Sequence, residues 1–327
     1  MEKKYDLIGV ANPGQDLVVE LEEMPTVVSS KMHDCCFQGG GWVATAMCAA
    51  GMLGAKTSFL GVIGDDIFSR FITADFEYNH VDTAHLVVDR GHRSNFCMAI
   101  TERAKKSKYL ISRPGDCREL LPEDVDEDFI ASARMLHVGA VNAGVRRAAE
   151  LAHKHGVLVS VGAAYYQPYI YDHYDLYDIF IGSEYFYEGL KADLEKQGLP
   201  HETDEDIMGY ILAKGARVVI FTFGAEGSRG MYEGKTFSCP PMDVPVVDTT
   251  GAGDVFHGAF DVAYLEGMSV EEAARFATGV SSIKCTQMGG RAGIPDRETL
   301  EKFLKTGIID SERIQSRAAQ YQHGLDI

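Results

Sequence analysis

Val246-Val247-Asp248-Thr249-Thr250-Gly251-Ala252-Gly253-Asp254-Val255-Phe256 is the stretch on which the reading of this chain turns. Two valines end a strand. Small residues then lead into an apolar helix marked by Val255, Phe256, Ala259, Phe260 and Ala263. A turn of Gly251, Ala252 and Gly253 sets bare backbone N–H groups at a helix start. Unsatisfied donors and the positive end of the helix dipole make such a place an anion site. It suits charge developing on a transferred phosphoryl group. Asp254, in the first turn, puts a carboxylate beside the same spot, where it can take a proton from an attacking hydroxyl. Taken without its neighbours, GxGD is as readily a tight turn followed by a first-turn helix acid.

Outward from this stretch, strands and helices alternate. Residues 5–10 read as a buried strand, and 16–21 alternate like another. Over 38–54, three glycines open a run with Val43, Met47 and Ala50 at helical spacing, which Gly54 stops. A strand over 57–62 and a helix over 67–78 follow. This β–α–β order predicts a parallel sheet with helices on its faces. Residues 86–88, 94–101 and 108–112 break it, reading as strands joined by polar turns. They predict a separate small sheet that, with the 16–37 segment, forms a lid over one edge of the main domain. Arg103, Ala104, Lys105, Lys106, Ser107 and Lys108 read as a solvated hairpin turn there. Strands over 135–138, 157–161, 179–181 and 218–223 resume the alternation, with helices over 143–154 and 204–214. Two short strands (229–232, 236–238) and three helices (252–266, 270–286, 296–305) close it. The polar tail after Ile309 is helix-compatible and either caps the domain or extends from it.

The string DTTGAGDVFHGAF, which begins at Asp248, strongly resembles the C-terminal signature of the ribokinase-like (PfkB) sugar kinases. The resemblance covers nearly the whole chain. It implies one ribokinase-like α/β domain over 1–327. In it a central, mostly parallel sheet is flanked by helices, and a small β-sheet lid is formed by about 16–37 and 86–113. It implies that Gly251, Ala252 and Gly253 form an anion hole and that Asp254 is the catalytic base. Thr222-Phe223-Gly224-Ala225-Glu226-Gly227 resembles the family's nucleotide strand-turn, which puts Thr222, Gly224 and Gly227 on ATP, with Thr278 on the same side. Lys284-Cys285-Thr286 and Gly289-Gly290-Arg291-Ala292-Gly293-Ile294-Pro295 resemble the loop that closes the adenine pocket. In many members that loop and the region of Asp248 and Thr250 also hold a monovalent cation, K⁺ here. Gly39-Gly40-Gly41 resembles the first signature, whose bare backbone lets a sugar approach. Asp16 sits where the family grips substrate hydroxyls, and a carboxylate accepts two such hydrogen bonds. Asp65 and Asp66 read as structural turn acids.

Two departures bear on substrate and metal. The sugar-binding Asn of many members is Ala44 here. The family's Asn-x-x-Glu string, which organises Mg²⁺, falls on Ser183-Glu184-Tyr185-Phe186, so Ser183 replaces Asn and Glu184 stands in for the acid. Mg²⁺ is still expected, because phosphoryl transfer from ATP needs its charge neutralised. The Ala44 variant and the C-terminal strings look closer to kinases of sulfofructose, ketoses and sugar acids than to ribokinase proper. Arg113, after a lid strand, is then the candidate for a substrate anion. His137 and His257 read as structural.

Composition narrows the rest. A net charge of −17 repels nucleic acid. No apolar run approaches the roughly 20 residues that span a bilayer. Seven cysteines with no CxxC pair, and a polar start over 1–6, predict reduced thiols and a cytoplasmic protein. The leading reading is an ATP-dependent sugar kinase. A nucleoside kinase, with an aromatic slot from Tyr165, Tyr166 and Tyr169, and a silent sugar sensor are the alternatives. Apolar alternation at Phe96, Met98 and Ile100 gives the lid an apolar face and predicts a homodimer.

Overall fold

The computed structural model describes residues 3–26, 28–105, 107–167 and 173–325. Its main strands are apolar on both faces, as strands covered on both sides must be. In β1 (Tyr5–Val10), Ile8 and Val10 pack to one side and Leu7 to the other. In β11 (Ile179–Ser183), Phe180 faces the first side and Ile179 and Ile181 the second. Helices Ala143–Lys154, Glu184–Gln197 and Asp204–Leu212 cover the first face. Trp42–Met52, Ala252–Leu265 and Val270–Lys284 cover the second.

The main sheet runs β14-β13-β12-β11-β10-β9-β1-β4-β5. Here β4 is Thr57–Ile63, β5 Val81–Asp82, β9 Ala133–Val138, β10 Leu158–Ala163 and β12 Val218–Thr222. These pair in parallel, while β13 (Ser228–Tyr232) and β14 (Lys235–Cys239) add antiparallel at one edge. A second sheet is separate: β3 (Asp34–Gly40), β2 (Gly14–Leu21), β7 (Asn95–Glu102) and β8 (Ser107–Arg113), in that order. This is the ribokinase-like architecture expected from the sequence.

Three local expectations change. β6 (Leu86–Val88), grouped above with the lid, pairs in parallel with β4 of the main sheet. Three residues carry too little pattern to say which sheet they join. Gln38, Gly39 and Gly40 end a lid strand, and the helix begins only after Gly41, whose φ of 93° turns the chain. The lid's apolar face is also different. Phe96 stacks on Phe68 of helix Ile67–Tyr78 with ring centroids 4.9 Å apart, and Ile100 packs on Val19 and Leu21. Tyr109, Leu110 and Ile111 are left to solvent on edge strand β8, as is Phe37 on β3. The tail forms helix Ser311–His323, which caps the domain by burying Ile314, Arg317 and Tyr321.

Candidate active site

Gly251 starts the site. Its φ is 71°, and a Cβ there would meet the Gly290 Cα, so both conformation and space demand glycine. Helix Ala252–Leu265 follows with no side-chain cap. The Ala252 N–H donates to the Thr249 carbonyl at 3.2 Å. Those of Gly251, Gly253 and Asp254 have no protein acceptor among the described residues. Three of the first amides are thus open for an anion, and Ala252 contributes its place in the turn rather than its donor. A Cβ on Gly253 would meet nothing within 4 Å, so the side-chain side of this residue is open.

Asp248 shapes the turn. One carboxylate oxygen accepts the Thr250 N–H at 2.8 Å and its hydroxyl at 2.6 Å, and the other accepts the Gly289 N–H at 2.8 Å. Burial disfavours the charged form, yet the Lys284 ammonium and these hydrogen bonds hold the Asp248 pKa below the usual carboxylate range.

Two cavities bear on this turn: one is lined by its Gly253, the other by Asp16, whose ionisation the Asp254 charge opposes. The first, of about 470 Å³, is lined by Thr222, Gly224, Gly227, Gly253, Thr278 and Cys285. All four residues assigned to the nucleotide strand-turn and its helix are therefore brought to the anion turn. Ser183 and Glu184 are not in its lining. Ser183 caps helix Glu184–Gln197, accepting from the Phe186 N–H at 3.2 Å and donating to the Ala164 carbonyl. No cluster of three or more His, Cys, Asp or Glu side chains suited to a metal occurs among the described residues.

The second cavity, of about 460 Å³, is lined by Asp16, Gly41, Ala44, Asn95, Arg113 and Asn142, among others. A Cβ on Gly40 would overlap the Asp16 carboxylate. Gly40 is thus bare to admit that side chain. Burial pushes Asp16 up to about 6; Arg291 and Lys108 pull it down, and Asp254 pushes it further up. Burial also raises Asp254, against Lys108, His137, Lys284 and Arg291. One guanidinium nitrogen of Arg113 (Nη2) and the amide oxygen of Gln15 (Oε1) are buried in this wall with no hydrogen-bond partner among the described residues. Buried polar atoms are rarely left so, and a ligand would satisfy them. A third cleft, of about 550 Å³, lies under the C-terminal helix and away from Asp254.

The Asp16 environment sets a pH dependence. Protonated, its carboxyl cannot accept two hydroxyl hydrogens; ionised, it can. Below about 6 it carries its proton. The expected result is that kcat/KM for the sugar falls on the acid side with a limb near that pH, since kcat/KM reports the free enzyme. A profile that stays flat from about pH 7 to about pH 5 would show that no such carboxyl is needed in ionised form.

With this geometry in place, the comparisons are specific. The profile described as "pfkB family carbohydrate kinase" matches residues 3–297. The chain belongs to that family. It is a carbohydrate kinase, as the sequence reading expected. It is 30% identical over 311 residues to the ribokinase of Haemophilus influenzae, covering 93% of this chain and 99% of the relative. It is 26% identical over 323 residues to the 5-dehydro-2-deoxygluconokinase of Bacillus subtilis, covering 93% and 97%. Its fold matches Arabidopsis thaliana ribokinase, complexed with ribose and ATP, with a TM-score of 0.78 at 24% identity, covering 93% and 99%.

Several site residues of this kinase were missed in the sequence. Lys108, read as part of a solvated turn, lies in β8, and its ammonium is near enough to Asp16 and Asp254 to oppose the rise of both. Only lid-to-core packing shows that. Arg291 and Asp75 form a fully buried ion pair beneath Gly39. Asp75 accepts the Gly39 N–H at 3.0 Å, and Arg291 donates to the Gly40 carbonyl at 3.2 Å. The glycines of the first signature are thus seated on a charge pair. His257 lies on the buried face of helix Ala252–Leu265, its ring 5.8 Å from that of His137 on β9. His137 pairs with Asp261 at 2.7 Å, and burial lowers His257 to about 3, so it is neutral. Tyr165 stacks on Tyr185, and Tyr166 meets Phe186 edge to face; neither lines either of the two cavities. Tyr169 lies outside the described residues.

Proposed function

We propose that this kinase transfers the γ-phosphoryl group of MgATP to a hydroxyl of an anionic sugar, a sugar acid or an acid-bearing ketose. The observation that carries the reading is Asp254, set among open amides next to Gly253 of one cavity and close enough to Asp16 of the other to oppose its ionisation. Asp254 takes the proton of a primary hydroxyl. The freed oxygen attacks the γ-phosphorus in line, the bond to the β-phosphate oxygen breaks, and ADP leaves with those electrons. The amides of Gly251, Gly253 and Asp254 receive the charge on the phosphoryl oxygens, and MgATP brings its own metal. Asp16 orients the sugar by accepting from its hydroxyls. The 16–37 and 86–113 segments, less β6, act as the lid.

Arg113 supports the anionic substrate. Arg113 lines the sugar-side cavity with one buried nitrogen unpaired, and Ala44 in the same lining offers no amide. A relative named 5-dehydro-2-deoxygluconokinase acts, by that name, on a sugar acid. A charged hydrogen bond contributes about 1.5–3 kcal/mol, so Arg113→Ala should raise KM for the sugar roughly ten- to a hundredfold and leave KM for ATP alone. ATP consumption across 5-dehydro-2-deoxygluconate, other sugar acids, ketoses, ribose and nucleosides tests the class. A silent Arg113→Ala, or ribose or a nucleoside giving the highest kcat/KM, would overturn it.

The exposed edge of β8 supports a homodimer through the lids. Tyr109, Leu110 and Ile111 on an unpaired edge invite a second copy. Light scattering at micromolar concentration should give twice the mass of one chain; a monomer alone would reject this pairing.

A further inference from the structure

The surroundings of Asp248 do not fit a monovalent cation, because a cation of the chain's own is already there. Lys284 ends helix Val270–Lys284 and is fully buried. Its Nζ donates to the Asp248 carbonyl at 2.8 Å. Both carboxylate oxygens of Asp248 are spent on Thr250 and Gly289, and the Thr250 hydroxyl spends its proton on Asp248. On the other side, the Val247 and Asp248 N–H groups donate to the Cys285 carbonyl at 2.8 and 3.1 Å. The helix end and the strand before the anion turn are therefore clasped by backbone, with the ammonium filling the space between them.

We propose that the Lys284 ammonium is the resident cation of this site, so that phosphoryl transfer by this kinase needs no K⁺ or NH₄⁺. A metal ion would have to take the Asp248 carbonyl from Lys284 and sit against a like charge. The tethered ammonium does the two things a bound ion would do. It fixes the peptide plane at Asp248, three residues before Gly251 and the turn whose amides face the phosphates. It also adds a buried positive charge behind those amides, which favours an anion in front of them. Burial lowers the Lys284 pKa, and the Asp248 carbonyl that accepts from Nζ, with the nearby negative charge of Asp248, opposes that loss. Lysine at this point of an otherwise apolar helix face (Ala277, Val280, Ile283) has no packing reason to be there.

The inference rests on the kinase reading of the Asp254 turn, and the test separates the two. Wild-type enzyme is assayed in tetramethylammonium chloride and then in KCl or NH₄Cl, at a constant ionic strength of about 0.1 M. Rates and KM for ATP should not change with the cation. Strong stimulation by KCl over tetramethylammonium chloride would overturn the proposal. Lys284→Ala opens the site. It should lose roughly tenfold or more in kcat/KM for ATP without K⁺, as when one charge-stabilising donor is removed, and regain part of it in KCl or NH₄Cl. Lys284→Met, of similar length, serves if the Ala variant does not fold. Full activity of Lys284→Met without K⁺ would sink the role of the ammonium. Thermal melts of the ligand-free proteins give a readout independent of turnover. KCl should raise the melting temperature of Lys284→Ala over tetramethylammonium chloride and leave wild type unmoved. A K⁺-specific rise in wild type would overturn the proposal even if no tested sugar were phosphorylated, a result that by itself would count only against the kinase substrate class.

Discussion

Asp254→Asn should lower kcat by about 10²–10⁴, the range for losing a general base, with KM for ATP and the fold nearly unchanged. The amide is nearly isosteric with the carboxylate and keeps the backbone N–H of residue 254 in place. What it lacks is the capacity to take the proton of the attacking hydroxyl. Burial raises the Asp254 pKa, which makes the carboxylate a stronger proton acceptor than one in water. Lys108, His137, Lys284 and Arg291 oppose that rise. Stability should move little, since the favourable charge at the helix start and its desolvation cost oppose each other. Single-turnover measurement of phosphorylation separates chemistry from product release. If the variant kept more than about half the wild-type rate, the base would have to be sought elsewhere.

Asp75→Ala should cost about 3–5 kcal/mol of stability, because it strands a buried guanidinium. Arg291 and Asp75 are both fully buried, and Asp75 is also the acceptor for the Gly39 N–H and, at 2.6 Å, for the Tyr321 hydroxyl. Tyr321 in turn accepts from Asn79 at 2.9 Å, and Arg317 donates to Asn79 and, at 3.3 Å, to the Arg291 carbonyl. One carboxylate thus joins the end of β3, the loop at Arg291 and the C-terminal helix. Chemical denaturation reads the loss. The double variant Asp75→Ala/Arg291→Met should recover much of it, since no charge is then left unpaired. A loss below about 1 kcal/mol for Asp75→Ala would mean that water reaches Arg291 and the pair is not a structural anchor.

The glycine turn and the proposed base beside it were legible in the chain because they are local. Gly251, Gly253 and Asp254 lie within four residues, and glycine spacing, helix start and carboxylate are all written in one string. The parallel sheet was legible for the same reason: apolar runs of strand length alternate with helical periods, and each covers its own faces. Arg113 could be named as a candidate from its place after a lid strand, although its unpaired nitrogen could not. The Ala252 amide, assigned to the anion hole, turned out to be spent on Thr249, a matter of one turn's geometry that composition does not encode.

What tertiary structure alone decided are the contacts between residues far apart in the chain. Lys284 meets Asp248 across 36 residues, and Arg291 meets Asp75 across 216. Gly39 and Gly40 announced themselves as glycines, but their reasons, the Asp75–Arg291 pair and the Asp16 carboxylate, come from other elements. β6 joined the main sheet because β4 offered it an open edge, which three residues could not reveal. The physical division is plain. Backbone conformation and periodic burial act over a few residues and leave their mark in the string. A buried charge is tolerated only by its partner, and which partner arrives is settled when the sheet brings the helix ends together.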